Sequence, residues 1–246
     1  MNQRIWGKYG WYTIHSLYAL ESADRHQPDI HYALFHHLGK ILPCAKCRKC
    51  YEVNKSVIDQ CYIDPKCTRM RKYNIGINRA LFEIHNIVNE KTGKPQYSWE
   101  TFLIDSERMK SQFHKEFVFA CMVFCQVIAY VHDHMPQEIE QADIQQFLSL
   151  LFQAIHHAYT ELDASNGTYA RMLARHGLEV TQQISSAHPM QHFIHLIFDP
   201  FTKGQPARSI LMDMAYPNQL LWTPMNTQAN IEQIKVAQAQ KIKWLF

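Results

Sequence analysis

Glycine is scarce in this chain, with only 8 among 246 residues, about half the usual ~7% share. So few glycines argue against a glycine-rich dinucleotide loop and against a sheet full of tight turns, and they favour helices. An excess of one charge sign is also missing. The 25 Lys and Arg against 22 Asp and Glu leave +3, too little to imply a nucleic-acid partner. No apolar run reaches the roughly 20 residues that a membrane helix needs. The longest, Phe117–Val131 (FVFACMVFCQVIAYV), is expected to be a buried helix, so no membrane partner is expected. The start, MNQRIWGKYG, lacks both the apolar core of a secretory signal and the Arg- and Ser-rich character of a transit peptide. A cytoplasmic location is the expectation. Internal repeats, low-complexity tracts and alternating β-branched segments are not seen either.

What is present describes an ordered globular protein: 47% hydrophobic and 19% charged residues, in a chain long enough for one large domain or two small ones. The apolar spacing predicts an all-α fold. Trp11, Ile14, His15 and Tyr18 share one helical face within residues 9–20, and Leu34, Phe35 and Leu38 do so within 30–40. Pro43 before Cys44 suits the first turn of a third helix. Residues 78–89 form a fourth pattern, stopped by Gly93-Lys94-Pro95. Further helices are predicted over 107–133, 137–162, 166–182, 187–198 and 226–244, with Asn166-Gly167 and a loop from Asp199 to Arg208 between them.

Cysteine usage is the informative feature. Seven cysteines, an odd number without an export signal, do not suggest a structural disulfide framework, so metal binding or redox chemistry is expected. Five lie in one segment: Cys44, Cys47, Cys50, Cys61 and Cys67. Cys44-Ala-Lys-Cys47 at a helix N-terminus places two sulfurs where free amides and the helix dipole stabilise a thiolate, with Lys46, Arg48 and Lys49 adding positive charge. The same cysteines, with Cys61 or Cys67 as the fourth ligand, could instead bind zinc in an interaction module, and spacing alone leaves both readings open. The histidines show no HExxH pattern and no clustered carboxylates, so no catalytic metal is expected.

Three motifs occur in order around this segment: WGKYGW-YTIH, LPCAKC and HNIVNEKTGKPQY. Together they resemble the Erv/ALR family of FAD-linked sulfhydryl oxidases, whose pattern runs WGxxxWxxxH, PCxxC and HNxVNxKxGKPxY. Trp6, Gly7, Trp11 and His15 match the first element, and Pro43, Cys44 and Cys47 the second. His85, Asn86, Val88, Asn89, Lys91, Gly93, Lys94, Pro95 and Tyr97 match the third. The resemblance covers about residues 5–105, less than half the chain.

The resemblance implies a four- or five-helix FAD-binding bundle at 1–106, followed by a second helical domain of unknown function at 107–246. It implies FAD held by Trp6, Gly7, Lys8, Trp11, His15, His85, Asn86, Val88, Asn89, Lys91, Lys94 and Tyr97, with the lysines meeting the pyrophosphate. Catalysis would pass through Cys44, attacked by the dithiol of a protein substrate, and Cys47, seated against the flavin, with dioxygen as acceptor and hydrogen peroxide as product. Members commonly dimerise through their first helices, so a homodimer is expected unless the second unit covers that surface. A long extension on a signal-free oxidase looks like the forms encoded by large DNA viruses, acting in host cytoplasm and on virion proteins. A flavin-binding scaffold with only secondary oxidase chemistry is a further alternative.

The chain departs from the family in two places. Where many members carry a disulfide from the flavin helix to the following loop, Phe82 and Trp99 stand here, and an aromatic pair is expected to replace the bond by packing. The shuttle cysteine pair of many members has only Cys61 and Cys67 as a local candidate, for which a structural disulfide closing the loop between them is the preferred reading. Cys50 reads as a bystander thiol, and Cys121 and Cys125 as inert core.

Overall fold

A computed structural model describes residues 3–20, 28–57, 75–159 and 168–203. The fold is all-α: among the described residues there is no strand. In chain order the helices are α1 (Gln3–Leu20), α2 (Pro28–Ile41), α3 (Ala45–Asn54), α4 (Ile75–Thr92), α5 (Trp99–His134), α6 (Gln141–Tyr159), α7 (Thr168–Gln182) and α8 (Met190–Lys203).

Helix ends follow local chemistry. Cys44 is the N-cap of α3, as the Pro43-Cys44 pattern predicts. At the C-terminus of α4, Gly93 has φ 68°, its N–H donates to Glu90 O at 3.2 Å and that of Lys94 to Asn89 O at 2.8 Å. This is a Schellman closure, which needs a left-handed residue that glycine supplies without a Cβ clash.

The largest departure from expectation is α5. A helix is predicted from residue 107, yet it starts at Trp99, because Ser98 Oγ accepts the Thr101 N–H at 3.1 Å and caps it there. Neither proline nor glycine interrupts the next 36 residues, so the helix runs about 54 Å. It ends at the Met135-Pro136 step, where proline opposes continuation. The division of the chain between residues 106 and 107 therefore does not coincide with a break: both lie inside α5. One cluster of buried side chains includes Leu34 and Ile84 as well as Phe147 and Ile194.

The C-terminal part of α5 is the spine of that core. Every residue from Phe117 to Ala129 is buried, as expected of a helix apolar all round. The stretch Phe117–His134 is long and apolar enough to cross a membrane, but 78% of it is buried within the protein. On α1, Trp6 stacks on Phe124 with centroids 6.1 Å apart and Tyr9 meets Phe119 edge-on at 5.7 Å. The contact is close because Gly10 has no side chain, and a Cβ there would come within 3.0 Å of Phe124.

Helix α6 packs on α2 and α7, and α8 on α5 and α7. Gly177 allows α7 to approach α6, since a Cβ would lie 2.7 Å from the Phe152 ring. The Asp133 carboxylate accepts the Met190 and Gln191 N–H groups at 2.6 and 2.8 Å, satisfying the orphan amides of α8. That helix continues to Lys203, beyond the predicted turn at Asp199, and contains Pro200. The predicted helix at 226–244 lies outside the described residues.

Candidate active site

Helix α3 positions the cysteine pair. Cys44, in extended backbone conformation, precedes the first helical residue, and the Cys47 N–H points back to its sulfur at 3.3 Å. Cys44 and Cys47 form a disulfide with Cα atoms 5.1 Å apart. The sulfurs differ in access: Cys47 is 8% exposed and belongs to the core, while Cys44 is half-buried. Arg48, one turn on, donates to Leu42 O at 2.8 Å and pairs with Glu138, tying α3 to the segment between α5 and α6.

A second group lies between α1 and α4. The two faces of α1 have different partners: Trp6, Tyr9 and Gly10 meet α5, whereas Trp11 and His15 turn towards α4. Trp11 lies flat on His85, centroids 4.3 Å apart and planes 9° from parallel. His15 Nε2 and His85 Nδ1 are 3.1 Å apart in a buried hydrogen bond. Tyr97 flanks His85 at 5.8 Å, and Phe102 meets His15 edge-on at 5.3 Å.

Burial is the main cause of the electrostatics here. It holds His15 well below the ordinary imidazole range, with His85 adding to the effect. His85 is pushed down to about 3 by burial and then by the Lys94 charge. Both rings are therefore neutral at neutral pH, so one donates its N–H to the other's lone pair. Burial and then Lys94 also lower Lys8 below its ordinary value. Positive charge thus converges beside a stack of neutral aromatic rings.

The other sequence-predicted residues divide into two sets. Gly7, one turn before Trp11, faces open space, with no atom within 4 Å of where a Cβ would stand. Asn89 is buried one turn after His85, and Val88 is half-buried. Asn86 is held by the loop that follows α4. Its amide donates to Tyr97 O at 2.8 Å and accepts Tyr97 N–H at 2.7 Å, which clamps Tyr97 onto α4. Lys91 Nζ lies 3.3 Å from Cys50 Sγ, so it bridges α4 to α3. Trp6 is buried in the core and stacks on Phe124.

The expected contact between Phe82 and Trp99 is present. Phe82 and Trp99 meet edge-on at 5.2 Å, with the Arg79 guanidinium 5.0 and 5.1 Å from the two ring centres. Phe102 completes the group, stacked on Trp99 at 5.1 Å and edge-on to Phe82 at 5.7 Å. Sequence reasoning overlooked Phe102, although its place three residues after Trp99 was the available signal. Glu138 was overlooked too, and nothing local in the sequence marks it as the partner of Arg48.

Among the described residues, no group of three or more His, Cys, Asp or Glu is arranged to hold a metal. A zinc site would need Cys61 or Cys67, which lie outside the described residues, as does the choice between shuttle and structural roles for that pair. Cys121 and Cys125 are buried free thiols, and the hydrogen bond that the Cys121 thiol makes to Cys125, with burial, pushes the Cys121 thiol up. No family model matches the chain, and neither a curated protein nor a solved structure does.

Proposed function

We propose that the chain is an FAD-linked thiol oxidase that forms disulfides in protein substrates and uses dioxygen as electron acceptor. The observation that carries this reading is the unequal access to the two sulfurs of the Cys44–Cys47 disulfide, one half-buried at a helix start and one in the core. Lys91, on the helix α4 that also carries His85, reaches Cys50 Sγ on α3.

The residues fit the cofactor on three counts. Trp11, His85 and Tyr97 offer flat apolar surface for stacking. The space beside Gly7 leaves room next to Trp11. Burial and then the Lys94 charge hold Lys8 below its ordinary value, and a pyrophosphate beside the two lysines would offset the repulsion between them. Gly7, Lys8, Trp11, His15, His85, Asn89, Lys94 and Tyr97 would hold FAD, with Asn86 keeping Tyr97 in position.

A substrate thiolate attacks Cys44 Sγ, the Cys44–Cys47 bond breaks, and Cys47 leaves as a thiolate. The second substrate thiol, deprotonated, attacks the mixed disulfide and releases Cys44, whose sulfur receives the Cys47 N–H. The substrate has lost two electrons and gained a disulfide, and the pair is left reduced. The chemistry that FAD would supply, held by the residues named above, is a two-electron acceptor for the reduced pair and a route from there to dioxygen, giving hydrogen peroxide. The buried His15–His85 pair sets two neutral rings beside Trp11 without introducing charge.

Helices α1 and α2 are covered by α5 and α6 of the same chain, so a homodimer would use a different surface from the first-helix contact common in the family. The test of the whole reading is the visible spectrum of the purified protein, with dithiothreitol then added under air and peroxide followed. A flavin spectrum that bleaches and recovers with peroxide release is expected. A colourless protein carrying stoichiometric zinc would replace this reading with the metal module.

A further inference from the structure

A cleft of about 500 Å³ lies between α2 and α3 on one side and residues 137–143 on the other. That volume falls in the range of about 300–1,000 Å³ typical of ligand sites. Its lining is unlike a small-molecule pocket, since four carboxylates and three cationic side chains dominate it. Such a polar, charged surface resembles the rim of a protein–protein interface more than an apolar cofactor cavity.

Three cross-cleft contacts hold the walls together: Arg48 to Glu138, Lys40 Nζ to Asp143 Oδ1 at 3.0 Å, and His37 Nε2 to Asp143 O at 2.8 Å. Lys55 pairs with Glu52 along α3. The three cations are thus engaged with Glu138, Asp143 and Glu52, while Glu140 stands exposed on the rim. Among its Asp, Glu, Lys and Arg side chains, four carboxylates against three cations leave one negative charge, at Glu140.

The position of the cleft relative to the reactive sulfur decides its use. Arg48, Glu52 and Lys55 line it, and at steps of four, eight and eleven residues from Cys44 they continue the face on which Cys44 begins. From Lys55 to Cys44 is about 16 Å along the helix axis at ~1.5 Å per residue. An extended peptide at roughly 3.3 Å per residue covers that distance with about five residues. A small dithiol cannot reach both ends, whereas a polypeptide can.

Building on the thiol-oxidase reading, we propose that this cleft seats the polypeptide flanking the substrate's cysteine pair, and that it prefers basic residues within about five positions of the cysteine that attacks Cys44. The opposite wall comes from the segment joining α5 and α6, so the C-terminal half of the chain supplies substrate recognition to a redox centre in the N-terminal half.

The experiment uses two synthetic dithiol peptides with either a lysine pair or a glutamate pair five residues from the nearer cysteine, together with dithiothreitol, on the wild-type chain and Glu140→Lys. The wild type should show the lower KM for the lysine peptide. Glu140→Lys should raise that KM by about three- to tenfold, the scale expected when a screened surface attraction becomes a repulsion. The kcat for both peptides and all turnover of dithiothreitol should remain unchanged. Equal KM values for both peptides on both proteins, with normal dithiothreitol turnover, would overturn the cleft proposal while leaving the oxidase intact. Should dithiothreitol turnover itself be absent, dye-labelled peptides with serine for cysteine, read by anisotropy, still decide the matter. Weaker binding of the lysine peptide to Glu140→Lys supports the cleft, and unchanged binding refutes it.

Discussion

Acid should destabilise this protein through the buried imidazole pair before most carboxylates titrate. His85 is held at about 3 in the folded chain against an ordinary 6.5, so the unfolded chain binds a proton that the folded one refuses. Stability is then complete above pH 6.5, falls as the pH drops through that value, and levels off only below about 3. Between pH 7 and pH 5 the loss from His85 alone works out at about 2 kcal/mol. His15 is depressed in the same direction, which makes the total larger. Urea unfolding at the two pH values, with the slope checked for constancy, measures the loss. His85→Gln keeps a polar group at the site and removes the titration, so its stability should change less over the same interval. His15→Gln, across the same hydrogen bond, is the second variant. If wild type and both variants lost stability in parallel between pH 7 and pH 5, the buried neutral pair would not be the source and the reasoning would fail.

Cys47→Ser should bind FAD yet show no bleaching by dithiols, while Cys44→Ser should leave a thiolate that adds a long-wavelength band to the oxidised flavin spectrum. A Cys47→Ser protein that turns over normally would remove that residue from the pathway. A double-mutant cycle of Phe82→Leu and Trp99→Leu should return a coupling of about 0.5–1.5 kcal/mol from the edge-on pair, and additive losses in urea unfolding would show that the rings are independent. Gly177→Ala should cost about 1–3 kcal/mol, since the new Cβ meets the Phe152 ring and α6 and α7 must part. An unchanged urea midpoint would mean that the interface yields freely.

Helical spacing and terminal chemistry are local properties, and they were legible. Apolar positions of α1, α2 and α4 repeat at helical intervals, Pro43 marks the start of α3, and Gly93 marks the end of α4. The start of α5 is also written locally, in the Ser98 cap and Thr101. The candidate site was legible to the extent that it follows helix periodicity: Trp11 with His15, and His85 with Asn89, stand one turn apart on their helices.

Which of those residues meet depends on how the helices pack, and spacing does not contain that information. Asn86 lies on the same helix as His85, yet the path of the following loop brings Tyr97 onto its amide. Trp6 belongs to the same motif as Trp11, but the 100° turn per residue sends it to α5 and Phe124. The depression of His15 and His85 comes from burial by chain segments 70 residues apart, and the cleft beside α3 exists because Arg48 reaches Glu138, 90 residues away. Periodicity and capping are written within a few residues of sequence, whereas contacts, burial and field arise only when distant helices share one core.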